Sequence, residues 1–198
     1  MRRVRCVVHE ERCVSSIVLI RRVVLIDEAY VDFGAESTVA LVERYPNLLV
    51  TGTFSKSRSL AGLRLGYAIG SPELIEGLQR VKDSFNSYPV DSLASVVGIE
   101  ALKDTQHFNA CRDNVITTRE RTRQRLEGLG FEVLPSKANF LLAQHPDFAG
   151  AQLFAGLRER GILVRHFNTN LLNNFLRISI GTDDEMDSFI EALESLSG

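Results

Sequence analysis

The chain is poor in cysteine and has no tryptophan: only three of its 198 residues are cysteines. Three is an odd number and no Cys-x-x-Cys pair occurs, which excludes a disulfide framework and argues against a zinc site. The four histidines are scattered, and no two stand four residues apart, the spacing that places two imidazoles on one helix face. We therefore expect no metal site.

An excess of one charge and a long apolar run are also missing. The 23 basic and 25 acidic side chains give a net charge of −2, without the basic excess of proteins that neutralise nucleic-acid phosphates. No apolar run approaches the roughly 18 residues that span a bilayer, and residues 17–20 are too few for a signal-peptide core. We expect a cytoplasmic globular protein that binds neither membrane nor nucleic acid.

The chain divides into three parts by pattern. Residues 1–22 hold six arginines and no clear period, so we treat them as an atypical N-terminal segment. Short apolar runs at 23–26, 48–51 and 63–69 predict strands, and Ser71 before Pro72 predicts the start of a helix. Together with a helix after residue 90, these elements define a first domain over 23–107, with a mainly parallel sheet.

A second, smaller α/β domain is predicted over 108–198. A charged helix at 112–129 is followed by strands at 131–134, 139–143, 162–165 and 175–180, with a helix at 151–160. Thr182 and Glu185 form a capping box at the start of the last helix. The arginine-rich stretch 119–125 contains interspersed glutamates, and we interpret it as a solvated helix face.

A carboxylate and a lysine are expected on one rim of the first sheet, because Asp27 and Lys56 each follow a buried strand. Lys56 stands among hydroxyl residues, with Arg58 and Arg64 nearby, and this setting suits a phosphate. Nearby cations and partial burial also favour the neutral amine required for Schiff-base chemistry. A solvated loop lysine is the simpler alternative.

The sequence around Asp27 also resembles the magnesium-binding strand of nucleotide hydrolases. Such enzymes need a Gly-Lys pair in a phosphate-binding loop, and no Gly-Lys pair occurs in this chain. We therefore set the nucleotide hydrolase interpretation aside.

Several ordered motifs together resemble the fold-type I pyridoxal-phosphate-dependent aminotransferases, and most closely the histidinol-phosphate aminotransferase family. The first three are Asp-Glu-Ala-Tyr at 27–30, Thr-Phe-Ser-Lys at 53–56 and Ala-Gly-Leu-Arg-Leu-Gly-Tyr at 61–67. Phe-Asn-Ser-Tyr-Pro at 85–89, Ser-Lys-Ala-Asn-Phe at 136–140, Gly-Ile-Leu-Val-Arg at 161–165 and Leu-Arg-Ile-Ser at 176–179 continue the likeness. The resemblance covers residues 23–198.

The resemblance implies pyridoxal 5′-phosphate as cofactor and a role for each matching residue. Lys56 would form a Schiff base with the cofactor and then carry the proton at the substrate α-carbon. Asp27 would face the pyridine nitrogen and Tyr30 the cofactor's 3′-oxygen. The cofactor phosphate would be bound by Thr53, Ser55 and Arg64. The substrate, a small amino or oxo acid, would be bound by Arg165, Arg177 and Asn139, and the implied reaction is amino transfer from histidinol phosphate to 2-oxoglutarate.

The chain departs from this family in length, because full members are nearly twice as long and the missing half is N-terminal. That half normally supplies much of the large domain and of the homodimer interface, so we expect strands near 23–26 and 48–51 to expose apolar surface. Two alternatives stay open. The first is that the chain is a catalytically silent fragment. The second is that the same residues serve a related lyase such as threonine-phosphate decarboxylase.

Overall fold

A computed structural model describes residues 22–197, which form two compact units. Unit 1 runs up to Ala29 and from Glu36 to Asp104, and unit 2 comprises Tyr30–Ala35 and the chain from Thr105 onward. The atypical segment predicted over 1–22 lies outside the described residues except for Arg22, as do Cys6 and Cys13.

Unit 1 contains a three-stranded sheet. Its strands are β1 (Val24–Asp27), β2 (Leu48–Thr53) and β3 (Gly66–Gly70), in the order β1-β2-β3. β1 and β2 are parallel, whereas β2 and β3 are antiparallel. The described sheet is therefore mixed and not mainly parallel as predicted. The reason lies in the connection from β2 to β3, which holds only a short 3-10 turn and no crossover helix of the kind that parallel neighbours need.

The two faces of this sheet differ. Leu48 and Val50 point into a small core around Tyr45, and all three are buried. Since side chains alternate along a strand, Thr51 and Thr53 lie on the opposite face. The register pairs Asp27 with Thr51, which puts the carboxylate on that same face.

Two helices complete unit 1, α1 (Pro72–Asp83) and α2 (Ser92–Lys103). The predicted cap of α1 is confirmed, because Ser71 Oγ accepts a hydrogen bond from the Leu74 amide at 3.5 Å and proline follows at the first helical position. Asp91 caps α2 in the same way, accepting from the Ala94 amide at 2.8 Å.

Unit 2 combines three helices with a four-stranded sheet. In chain order they are α3 (Thr105–Gly128), β4 (Glu132–Val133), β5 (Phe140–Gln144), α4 (Gly150–Glu159), β6 (Arg165–His166), β7 (Leu176–Ser179) and α5 (Asp183–Ser197). The sheet order is β4-β5-β7-β6, and every described pairing is antiparallel. The predicted α/β class is confirmed. The predicted strand at 162–165 was wrong in extent, and the proposed domain boundary after residue 107 falls inside α3.

The core of unit 2 is built from alternate strand residues and one face of α5. Leu141 and Ile178 are buried on β5 and β7, and the α5 residues Phe189 and Leu193 pack against them. The predicted capping box is confirmed: the Thr182 amide donates to Glu185 Oε2 at 2.7 Å, and the Glu185 amide donates to Thr182 Oγ1 at 3.3 Å. These two hydrogen bonds satisfy backbone donors at the first turn and so stabilise the start of α5.

The solvated helix face predicted over 119–125 was wrong for Arg119, whereas Arg123 is partly exposed and pairs with Glu120 and Glu127. Arg119 is only 2% exposed. Arg121 and Arg125 form ion pairs with Asp187 of α5, and Arg121 also pairs with Asp183. α3 and α5 pack against each other in unit 2. Arginines that the sequence pattern places at the surface therefore pair with acidic side chains of α5.

Over residues 22–197 no helix is both long and apolar enough to cross a membrane. Within the same span, no three metal-ligating side chains cluster closely enough to hold a metal ion.

Candidate functional site

Asp27 ends β1 at the rim of the unit 1 sheet. Its Oδ1 accepts a hydrogen bond from the Ala29 amide at 3.0 Å, which turns the chain away from the strand. The Glu28 amide still donates to the Thr51 carbonyl at 2.8 Å, so the parallel ladder continues to this point. The Asp27 side chain is exposed beyond it.

Glu28 holds the segment that follows Asp27. Its Oε1 accepts from the Thr38 amide at 2.5 Å and from the Thr38 hydroxyl at 2.7 Å, while Oε2 accepts from the Ser37 hydroxyl at 2.8 Å. Charge-assisted hydrogen bonds of this kind are stronger than neutral ones. They tie Ser37 and Thr38 to the residue that directly follows Asp27.

Lys56 lies in the loop that leaves β2, and this loop is tied to itself by hydrogen bonds. Thr53 Oγ1 donates to the Leu65 carbonyl at 3.4 Å and accepts from the Ser55 amide at 3.1 Å. The Lys56 carbonyl accepts from the Ser59 amide at 3.0 Å. The lysine side chain is exposed on this ordered turn, close in sequence to both hydroxyl residues.

The same loop has two left-handed residues that are not glycine. Ser59 has φ 56° and Arg64 has φ 53°, a conformation that costs about 1–3 kcal/mol per residue and clusters at functional sites. Two guanidinium hydrogen bonds support it: Arg64 Nη1 donates to the Ala61 carbonyl at 3.0 Å, and Arg58 Nη1 donates to the Ala101 carbonyl of α2 at 2.7 Å.

The donor set of unit 1 fits a ligand with a carbonyl carbon, a basic ring nitrogen and a phosphate. The lysine amine suits the carbonyl, the exposed carboxylate suits a protonated nitrogen, and hydroxyls with a guanidinium suit a phosphate. These groups are Lys56, Asp27, Thr53, Ser55 and Arg64. The sequence assigned all five to the cofactor, and the structure places them at one rim of the β1–β2 pair or in the loop leaving it.

Arg165 and Arg177 lie directly opposite each other on β6 and β7. They share the face of the unit 2 sheet that points away from the core, because Leu176 and Ile178 on either side of Arg177 are buried. Like charges directly opposite in a ladder are unfavourable. In addition, Arg177 Nε is buried without a hydrogen-bond partner. Both features fit a pair of arginines that receives an anion.

The Phe140 ring contacts two of the predicted residues, Tyr30 and Arg177. The Arg177 guanidinium lies over the Phe140 ring, 4.0 Å from its centre, and the Tyr30 ring meets the same ring edge-on with centroids 5.4 Å apart. Asn139 joins the sheet through its backbone carbonyl, which accepts from the Ile180 amide at 3.0 Å. Unit 2 therefore brings Tyr30 and Arg177 against one aromatic ring, and Asn139 directly precedes that ring in the chain.

The sequence reasoning missed Arg119. Its Nη1 donates to the carbonyls of Phe33 at 2.9 Å and Ala138 at 3.0 Å, and the rest of its guanidinium pairs with Glu120. Burial raises the pKa of Glu120, but hydrogen bonds from Arg123 and Arg119 outweigh it and hold this pKa below its ordinary value of 4.5. One signal was available, because Arg119 falls in the helical stripe that includes Thr122 and Leu126.

Comparisons with known proteins define first a fold and then a family. The histidinol-phosphate aminotransferase from Clostridium acetobutylicum aligns with a TM-score of 0.88 at 24% identity, over 96% of this chain and 59% of that one. The Sinorhizobium meliloti histidinol-phosphate aminotransferase, solved with pyridoxal-5′-phosphate, aligns with a TM-score of 0.81 at 26% identity, over 94% of this chain and 53% of that one. The fold is thus that of the pyridoxal-phosphate aminotransferases.

The chain belongs to the aminotransferase class I and II family, whose model matches residues 17–193. It is similar to the histidinol-phosphate aminotransferase of Chromohalobacter salexigens, at 72% identity over 174 residues. That match covers 88% of this chain and 50% of the relative. The chain thus spans about half the length of the curated relatives it matches.

Proposed function

We propose that this chain carries the catalytic lysine and the substrate-binding arginines of a pyridoxal-phosphate-dependent histidinol-phosphate aminotransferase. The reaction transfers the amino group of histidinol phosphate to 2-oxoglutarate, giving imidazole-acetol phosphate and glutamate in histidine biosynthesis. The observation that carries the proposal is the placement of Asp27 and the Lys56 loop at the carboxyl ends of paired parallel strands. Ligands of open α/β sheets bind at this edge.

The residues of unit 1 bind the cofactor and move the proton. When bound, pyridoxal phosphate supplies a ring that accepts the electrons of the broken Cα–H bond. The Asp27 carboxylate keeps the ring nitrogen protonated, which strengthens that acceptance. Lys56 Nζ would hold the carbonyl carbon of the cofactor, and the same amine would hold or move the proton of the substrate α-carbon as general base and acid.

The phosphate of the cofactor is assigned to Thr53, Ser55 and Arg64. Hydroxyl donors and a guanidinium supply charge-assisted contacts that hold a dianion in one orientation. The left-handed backbone at Arg64, with its hydrogen bond to the Ala61 carbonyl, sets the direction of this side chain before the ligand arrives. A lysine in its place would keep the charge and lose the bidentate geometry.

The substrate is assigned to unit 2. Arg165 and Arg177 hold its anionic end, which is the phosphate of histidinol phosphate or a carboxylate of glutamate and 2-oxoglutarate. Asn139 is assigned to the same substrate region. The hydroxyl group of Tyr30 is assigned a hydrogen bond to the cofactor's 3′-oxygen. The proposal includes a cytoplasmic location and a homodimer as the working assembly of the full-length family.

The test is reductive trapping of pyridoxal phosphate on the purified chain. The visible spectrum is recorded before and after borohydride, and the modified peptide is mapped by mass spectrometry. Lys103 provides the matched control, because it is an exposed lysine of unit 1 paired with Glu100 at 2.8 Å. We expect modification at Lys56, its loss in Lys56→Ala and no change in Lys103→Ala.

Labelling spread equally over Lys56, Lys82, Lys103 and Lys137 would contradict the proposal and favour a catalytically silent chain. If Lys56 is labelled, the released products separate amino transfer from the lyase alternative. Glutamate formed from 2-oxoglutarate supports the aminotransferase, whereas carbon dioxide from a phosphorylated amino acid supports a decarboxylase.

A further inference from the structure

Arg119 connects two segments of unit 2 that are far apart in sequence. A single nitrogen, Nη1, donates to the Phe33 carbonyl at 2.9 Å and to the Ala138 carbonyl at 3.0 Å. Phe33 ends the 3-10 turn Val31–Phe33 that directly follows Tyr30, and Ala138 directly precedes Asn139. One buried side chain thus holds the backbone directly before Asn139 and three residues after Tyr30.

Each of the three guanidinium nitrogens has a partner in this arrangement. Its Nε and Nη2 both pair with Glu120 Oε1 at 3.0 Å, so the carboxylate balances the charge while Nη1 faces the two carbonyls. A planar fork with fixed donor directions can serve a carboxylate and two carbonyls together, whereas an ammonium group has one nitrogen to share among them. Burying a charge is unfavourable unless it is paired and hydrogen-bonded, and here both conditions are met.

We propose that Arg119 is a positioning residue for the reaction: it sets the placement of Tyr30 and Asn139 by clamping Phe33 and Ala138 together. The clamp works with Phe140, whose ring meets Tyr30 edge-on at 5.4 Å and carries the Arg177 guanidinium at 4.0 Å. That Tyr30 and Asn139 act on cofactor and substrate rests on the proposed function. The clamp itself rests only on contacts within unit 2.

The experiment follows Tyr30 by fluorine NMR in the full chain without cofactor. The chain has four tyrosines, so 3-fluorotyrosine gives four signals, and Tyr30→Phe assigns the one of interest. Phe140→Leu supplies the reference position of that signal when the neighbouring ring is gone. The test variants are Arg119→Met, which removes the donors, and Arg119→Lys, which keeps a charge and one donor nitrogen.

Arg123→Ala is the matched control on the same helix. It removes a partner of Glu120 and leaves the two carbonyl contacts of Arg119 in place. We expect the Tyr30 signal in Arg119→Met to move more than half of the way towards its position in Phe140→Leu. In Arg119→Lys it moves less, and in Arg123→Ala it stays within the line width. Signals from Tyr45 and Tyr67, which belong to unit 1, stay unchanged.

Fold loss is distinguished by the methyl signals of Leu141 and Ile178 in the unit 2 core. If Arg119→Met loses them, the milder Arg119→Lys decides. An unmoved Tyr30 signal in a folded Arg119 variant overturns the proposal. In the chain loaded with pyridoxal phosphate, a shift in the pH midpoint of the visible absorbance is expected in Arg119→Lys, in the same direction as in Tyr30→Phe.

The two proposals fail separately. If Lys56 is not labelled in the reductive trapping experiment, the proposed function is contradicted. The fluorine signal of Tyr30 still tests the clamp in that case. Conversely, if the Tyr30 signal does not move in a folded Arg119 variant, the clamp proposal is contradicted, whereas labelling of Lys56 still supports the proposed function.

Discussion

The two units differ sharply in how much apolar surface they bury. Among residues 22–197, unit 2 contains 14 of the 20 buried hydrophobic residues, whereas unit 1 contains 13 of the 16 large apolar side chains that stay exposed. Burial of apolar surface is the main favourable term in folding. The comparison therefore indicates that unit 2 carries most of the stability of this chain. Five of the six residues assigned to the cofactor stand on the less buried unit 1, and the sixth, Tyr30, belongs to unit 2.

The largest effect is expected from the core of unit 2. Phe189 is 1% exposed in the centre of that core, and its replacement in Phe189→Ala should lower the free energy of unfolding of unit 2 by about 3–5 kcal/mol. Denaturant unfolding followed by NMR signals of each unit measures this. An equal loss in both units would contradict the view that unit 2 is an independent core.

A smaller effect is expected at the start of α5. Thr182→Ala removes the hydroxyl that accepts from the Glu185 amide and should cost about 1 kcal/mol in the unfolding free energy of unit 2. Thr182→Ser keeps the hydroxyl and serves as control. If both variants lose the same stability, the methyl group matters and the capping box does not.

The pH dependence of unit 2 provides a third test. The pKa of Glu120 is lower in the folded chain than its ordinary value of 4.5, so this carboxyl binds fewer protons folded than unfolded. Its contribution is complete above about pH 4.5 and is lost as the pH falls through the lower folded value. Glu120→Gln should flatten the fall in stability over this acid range. The free energy of unfolding is measured from urea unfolding curves between pH 6 and pH 3. If its pH dependence is the same in wild type and Glu120→Gln, this role of Glu120 is contradicted.

The smallest effect on stability is expected on the exposed face of α2. Ile99 and Leu102 are 53% and 54% exposed, so Ile99→Gln and Leu102→Gln should change the unfolding free energy by no more than about 0.5 kcal/mol. Removing apolar surface should also reduce self-association, which analytical ultracentrifugation detects. A loss of stability comparable to that of Phe189→Ala would show that this face is covered within the chain.

Elements with strong local signals could be predicted from the sequence. The cap at Ser71, the box formed by Thr182 and Glu185, and the apolar stripe of α5 are set by neighbours within a few residues. The rim position of Asp27 was also readable, because a short apolar run followed by acidic residues marks the end of a strand. The expected burial of β1 was wrong, since Leu25 is 58% exposed. The roles of all nine predicted site residues remain proposals.

Features that depend on distant contacts could not be read. The direction of β3 follows from pairing with β2, and the sequence pattern of a strand is the same in either direction. Arg119 looks like its solvated neighbours in the sequence, and its burial depends on carbonyls that are 86 and 19 residues away. Phe140 was noted only as part of a motif, since its contacts with Tyr30 and Arg177 come from three separate segments.

The most direct test of the account is hydrogen exchange of the full chain with and without pyridoxal phosphate. The account predicts that the cofactor slows exchange at the end of β1 near Asp27 and in residues 53–65 around Lys56, and that Lys56→Ala abolishes this protection. Absence of protection in wild type, or protection that persists in Lys56→Ala and lies elsewhere, would contradict the assignment of the cofactor to this rim.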